Sequence, residues 1–133
     1  MGFVWKSVDI RFSDEDNMGH VFHSQIVEYV AEARIGYIDN LIEKSGEDVD
    51  HTLAHLVMDF IKEIHYPGSV DVGLKVAKIG NKSLTTEYVL HVDGRLVAEA
   101  SCVSVFFDIG NNKTCLIPER LRILLKDEGN HYG

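Results

Sequence analysis

Two cysteines, two prolines, 13 basic residues against 21 acidic ones and no long apolar run bound this chain of 133 residues before any motif does. Cys102 and Cys115 have neither CxxC spacing nor the numbers for a disulfide framework, so reduced thiols and a cytoplasmic setting are expected. Pro67 and Pro118 punctuate rather than fill. Without a Pro/Gly/Ser linker, repeat or low-complexity segment, residues 1–133 read as one domain, large enough to bury a core unaided. The formal charge of −8 argues against general nucleic-acid binding, because an acidic surface repels phosphate. An anionic ligand would need a local basic patch. No stretch approaches the roughly 18 apolar residues of a membrane span. The N-terminus also lacks the basic-then-apolar pattern of a signal peptide.

What is present is periodic. "FVWKSVDIRF" alternates in its second half, with Val8, Ile10 and Phe12 against Ser7, Asp9 and Arg11, and reads as a strand. Ser24 is positioned to cap a helix running to about Lys44, ended by "SGED". On that helix Gln25, Glu28, Glu32, Gly36, Asp39 and Glu43 form one narrow polar stripe. The rest of the circumference is mostly apolar, which implies a helix wrapped by a sheet or clamped between partners. Downstream, "TLAHLVMDFIKEIHYP" reads as a long strand run with a turn at Pro67-Gly68. "SVDVGLKVAKI" puts Val70, Val72, Leu74 and Val76 on one face. "SLTTEYVLHV" does the same with Leu84, Thr86, Tyr88, Leu90 and Val92. "GNK" and "DGR" supply hairpin signals before and after it, and "LVAEASCVSVFFD" follows. "PERLRILLK" reads as a short C-terminal helix starting at Pro118. Strand, buried helix, then four strands in a meander is an α+β architecture, an antiparallel sheet of about five strands curling round one helix. Its exposed edges predict pairing with a second copy.

"DEDNMGHVFH", Asp14 to His23, concentrates titratable chemistry where the helix is about to start. A carboxylate there lies beside unpaired backbone N–H groups, which are the usual stabilisers of an acyl-transfer oxyanion. Gly19 allows close backbone approach. The N–H groups of His20 to His23 are the candidate donors. The same residues have structural readings: Asp14 and Asp16 are good turn formers, and His23 suits packing or hydrogen bonding. His20 and His23, with Asp16, have spacing compatible with a metal site, yet histidines in an acidic loop are common and no metal is assigned. Arg34 sits on the apolar side of the helix and should pair with an acid elsewhere. Cys102, on a strand face with Ala98 and Ala100, reads as core. No serine has nucleophile-elbow spacing.

"RFSDEDNMGHVFHSQIVEYVAEAR", the long helix and "IGNKSLTTEY" together resemble the hotdog-fold acyl-CoA thioesterases. The closest resemblance is to the 4-hydroxybenzoyl-CoA thioesterase type and its Tol–Pal-associated relatives. It spans about Val8 to Leu125 and rests on Asp-x-Asp-x-x-Gly (Asp14, Asp16, Gly19), on Tyr29, Glu32 and Arg34, and on Gly80-x-x-Ser83. It implies hydrolysis of an acyl-CoA without metal or redox cofactor. Asp16 would be nucleophile or general base, and His23 would assist. A family tyrosine four residues before the aspartate is replaced by Phe12, which puts more weight on Asp16. Other branches use a helical glutamate, for which Glu28 and Glu32 are the candidates. Val21, Phe22 and Tyr29 would meet substrate, while Tyr37, Met58 and Phe60 are further candidates for the acyl tunnel. Lys78, Lys82 and Ser83, with Lys75 nearby, would hold the CoA phosphates, although the lysines also read as a solvated strand face. The resemblance further implies sites built from two protomers, in a homodimer assembling to a homotetramer. The alternatives are a hydratase or dehydratase on the same fold and a non-catalytic acyl-CoA-binding or sensing module.

Overall fold

Val70, Val72, Leu74, Leu84, Thr86, Tyr88 and Leu90 are all buried, as their period-two spacing requires. They form the face on which the long helix lies. The computed structural model describes residues 3–132, with side chains as far as Asp127. In chain order these are β1 (Val4–Asp9), one 3-10 turn (Phe12–Asp14), α1 (His23–Ser45), β2 (Val49–Phe60), β3 (Ser69–Ile79), β4 (Ser83–Val92), β5 (Arg95–Asp108), the two-residue β6 (Lys113–Thr114) and α2 (Glu119–Tyr132). A single antiparallel sheet in the order β1-β3-β4-β5-β2, with β6 on β5, curls round α1. This is the hotdog fold.

The core has two parts. Ile26, Tyr29, Val30 and Ala33 from the first half of α1 pack on β1, β3, β4 and β5. Ile38 and Leu41 from its second half meet Leu84, Phe106 and, across α2, Leu121 and Leu125. The helix is less enclosed than its sequence implies. One curled sheet covers only one side, leaving Ile35 43% exposed. Among the described residues no helix is long and apolar enough to cross a membrane.

Four expectations need correction. The meander holds only for β3, β4 and β5, because β2 pairs with the far side of β5 and ends at an edge. "TLAHLVMDFIKEIHYP" is accordingly not one strand. β2 stops at Phe60, and residues 61–68 carry the chain across the end of the sheet to β3, with Ile64 buried on the way. The helix also starts before Ser24. Phe22 occupies the N-cap without a side-chain cap, because the chain is already pinned there by its own N–H to the Asp14 carbonyl at 3.0 Å. At the other end Gly46, with φ of 71°, closes α1 through its N–H to the carbonyls of Ile42 and Glu43. The short C-terminal helix, α2, begins at Glu119, one residue beyond the proline rather than at it.

Candidate active site at the N-terminus of the long helix

The two aspartates of "DED" do opposite things. Asp14 is 1% exposed and fully engaged. Its carboxylate accepts the Arg11 backbone N–H (2.9 Å), the Arg11 Nε–H (3.0 Å) and the Tyr29 hydroxyl (2.7 Å). Burial opposes its charge. The Arg11 amide, the Tyr29 hydroxyl and the Arg11 guanidinium more than offset this and hold the carboxyl below its ordinary range. Burial, followed by the Asp14 carboxylate, pushes the Tyr29 phenol far up. Tyr29, expected at the substrate, lines the groove between α1 and β1. The side chain is 3% exposed, and its hydroxyl is spent on Asp14.

Asp16 faces a cleft of about 630 Å³ lined by His20, Val21, Phe22, His23, Ile26, Phe60, Ile61, Lys62 and Glu63. One carboxylate oxygen accepts the N–H of Met18 at 2.8 Å and, more weakly, that of His20 at 3.4 Å. The other lies 3.3 Å from Nδ1 of His20. Gly19 makes this tight turn with φ of 81°, a conformation that side-chain-bearing residues resist, and its carbonyl accepts Nδ1–H of His65 at 2.8 Å. Val21, Phe22 and His23 stand in the same cleft. His23 does not hydrogen-bond Asp16. Its ring stacks on Phe22 at 4.4 Å and meets the edge of Phe60 at 5.7 Å.

The amides separate in the same way. The N–H groups of His20, Val21 and Phe22 are used by Asp16, by the Ile64 carbonyl (2.6 Å) and by the Asp14 carbonyl. Of the four candidate donors only that of His23 is left, joined by the next first-turn amide, Ser24. An unsatisfied helix N-terminus beside a carboxylate is an arrangement able to polarise a carbonyl while water is activated next to it.

Glu63 and His65 escaped the sequence reading, as did the pairing of His20 with Asp16 other than as a metal site. Nε2 of His20 lies 3.7 Å from one Glu63 oxygen, and Nε2 of His65 lies 3.7 Å from the other. The 61–68 crossing segment delivers Glu63 and His65, and no local pattern reveals that crossing. Glu28 and Glu32 are not in this cleft. They line a separate groove of about 920 Å³ between α1 and β1, with Lys6 and Arg11. Arg34 meets no carboxylate directly. It donates to Ser104 Oγ at 3.1 Å and to Nδ1 of His51 at 3.4 Å, and the Nε2–H of His51 donates to Asp39 at 2.7 Å. Asp39, Asp50 and His51 are close enough together to share a cation, but the Arg34 guanidinium on the same imidazole opposes one. Cys102 is buried, and burial raises its thiol.

Lys78, Lys82 and Ser83 flank the β3–β4 turn, whose Gly80 carbonyl is held by Arg122 of α2 at 2.8 Å. Lys75 is occupied by Glu87 at 3.7 Å and lies over the Phe3 ring. Within one chain this turn is far from Asp16. Ser83 and Thr52 both pair with Val105, whereas Phe60, at the cleft, pairs with Ala98. At about 3.3 Å per residue, Thr52 and Phe60 are about 26 Å apart.

Comparison with known proteins agrees with this architecture. The thioesterase-like superfamily matches residues 10–125. The chain belongs to that family. A predicted thioesterase from Bacillus stearothermophilus superimposes with a TM-score of 0.85 at 22% identity, covering 96% of each chain. A Thermus thermophilus thioesterase complexed with coenzyme A and Zn gives 0.83 at 27% identity, covering 97% of this chain and 96% of its own. The 1,4-dihydroxy-2-naphthoyl-CoA thioesterase of Synechocystis gives 0.79 at 19% identity, over 95% and 97%. No curated protein sequence matches the chain.

Proposed function

We propose that the protein is an acyl-CoA thioesterase whose essential carboxylate is Asp16, of the kind represented by the 4-hydroxybenzoyl-CoA and Tol–Pal-associated enzymes. The observation that carries this reading is one cleft lined by the open carboxylate of Asp16 and by His23, whose amide is left free at the helix N-terminus. A thioester carbonyl placed between them would have its oxygen at the His23 and Ser24 amides and its carbon within reach of Asp16 or of a water held by it. Gly19 sets the turn, Val21 and Phe22 wall the acyl group, and His23 borders it. The Thermus relative bound to coenzyme A supports a CoA thioester as substrate. This scheme needs no metal or redox cofactor.

The remaining contacts come from a second copy. No residue of β2 is buried. Among the described residues its outer edge is unpaired, and it carries no Lys, Arg or Pro to discourage association, while Leu53, Val57 and Phe60 are 39%, 49% and 49% exposed. Antiparallel pairing of two β2 edges about Leu56 sets Thr52 of one copy opposite Phe60 of the other. The partner's β3–β4 turn, with Lys78, Lys82 and Ser83, then approaches the Asp16 cleft and supplies positive charge for the CoA phosphates. A homodimer is the smallest unit with a complete site, and homotetramers are built from it.

The test is thiol release from aromatic and short to long aliphatic acyl-CoAs by the native chain and by Asp16→Asn. Turnover is expected on part of the panel, with a loss of about 100-fold or more in the variant and CoA binding retained. Binding without hydrolysis across the panel would instead identify a sensing module. In the native chain, Lys82→Glu should raise KM by about tenfold with little change in kcat, since it alters binding equally in ground and transition states.

A further inference from the structure

We propose that His20, not His23, is the proton-transferring partner of Asp16, an assignment resting on the thioesterase reading above. Four observations carry it. His20 is the only imidazole in contact with Asp16 among the described residues, with Nδ1 at 3.3 Å from the carboxylate oxygen that no amide occupies. The imidazole is sheltered but not sealed, with a side chain 29% exposed at the wall of the cleft. With its proton on Nδ1, the nitrogen facing Asp16 at ion-pair distance, His20 would carry its lone pair on Nε2. Glu63 approaches Nε2 only to 3.7 Å, beyond hydrogen-bond length, so that lone pair is open to the cleft. His23, by contrast, stacks on Phe22 and meets the edge of Phe60, away from Asp16.

A base held in one tautomer by a carboxylate is the general form of an activated hydrolytic dyad. The reaction balances as follows. Nε2 of His20 takes a proton from water as the water oxygen bonds to the thioester carbon, and the carbonyl electron pair moves onto oxygen beside the His23 and Ser24 amides. When that pair returns, the C–S bond breaks with its electrons on sulfur, which takes the proton from Nε2. Free acid and CoA thiol leave, and His20 is neutral again. Asp16 stabilises the transient imidazolium on one side and Glu63 does so on the other. Glu63 is 66% exposed, so its contribution is small. The charged groups facing His20 are Asp16 from its own turn and Glu63 from the crossing segment, with Lys62 and His65 beside them.

The experiment compares His20→Ala, His20→Asn and His23→Ala with the native chain on the best acyl-CoA, as pH profiles of kcat and KM, with and without added imidazole. His20→Ala is expected to lose about 100-fold or more in kcat, with KM within about threefold, and to lose the acid limb of the profile. Added imidazole should restore part of the rate. His23→Ala should cost less than about tenfold. Full activity in His20→Asn, which keeps an N–H for Asp16 but has no base, would reduce His20 to a positioning group and overturn the proposal. So would an unchanged acid limb without imidazole rescue in His20→Ala. A native chain with no turnover would remove the thioesterase reading itself, and the dyad with it. Loss confined to His23→Ala would leave that reading standing and remove only the dyad.

Discussion

Asp14 and Asp16 are two residues apart, chemically identical and both placed just before the same helix, yet one belongs to the fold and the other to the cleft. Asp14 is enclosed and its carboxylate is taken by Arg11 and Tyr29, so it has nothing left to offer a substrate. Asp16 keeps one oxygen on amides and turns the other toward an imidazole and an open cleft. The residue type does not decide which aspartate does chemistry. What decides it is which carboxylate the rest of the chain has already satisfied. The clamp also serves the cleft, because the Asp14 carbonyl holds the Phe22 amide and so fixes where α1 begins.

If this contrast is right, disturbing the clamp is a stability experiment. Asp14→Ala should cost about 2 kcal/mol, the order expected when the hydrogen bonds that a buried carboxylate accepts from Tyr29 and Arg11 are removed. Denaturant unfolding measures it, and a loss below about 1 kcal/mol would mean the clamp is not structural. The clamp also predicts an acid limb. The Asp14 carboxyl is held below its unfolded value, so its contribution is complete above the unfolded value of about 3.9 and is lost as pH falls through the lower folded value. Melting curves across that range should show the limb in the native chain and a shallower one in Asp14→Asn. Tyr29→Phe removes only the hydroxyl contact and should cost about 1.5 kcal/mol. Gly19→Ala meets no atom within 4 Å, so only the backbone conformation resists it, at about 1 kcal/mol. Its larger effect should be on turnover, through the Asp16 turn.

Much of this was legible in the residues. Alternation along β3 and β4 identified the buried faces, because a strand packed on one side reports its burial with period two. The Asp-x-Asp-x-x-Gly spacing located the turn, because only glycine sits easily at the Gly19 backbone angle. The roles within the turn were not legible. Asp14 and Asp16 both suit a turn, and Tyr29 reads equally as a tunnel wall or as the hydroxyl that closes a clamp. Strand order was hidden for a different reason. Whether β2 joins β3 or crosses to β5 depends on a long-range connection, and that connection brings Glu63 and His65 to the site. His20 therefore looked like part of a loop when its partner lies four residues behind it.

The most direct test of the contrast is turnover per folded molecule for Asp14→Asn and Asp16→Asn, measured side by side well below both melting temperatures. Asp16→Asn should melt like the native chain and turn over about 100-fold more slowly or worse, while Asp14→Asn should melt lower yet keep its rate within about threefold. Equal, deep losses of rate in both folded variants would contradict the division between clamp and cleft.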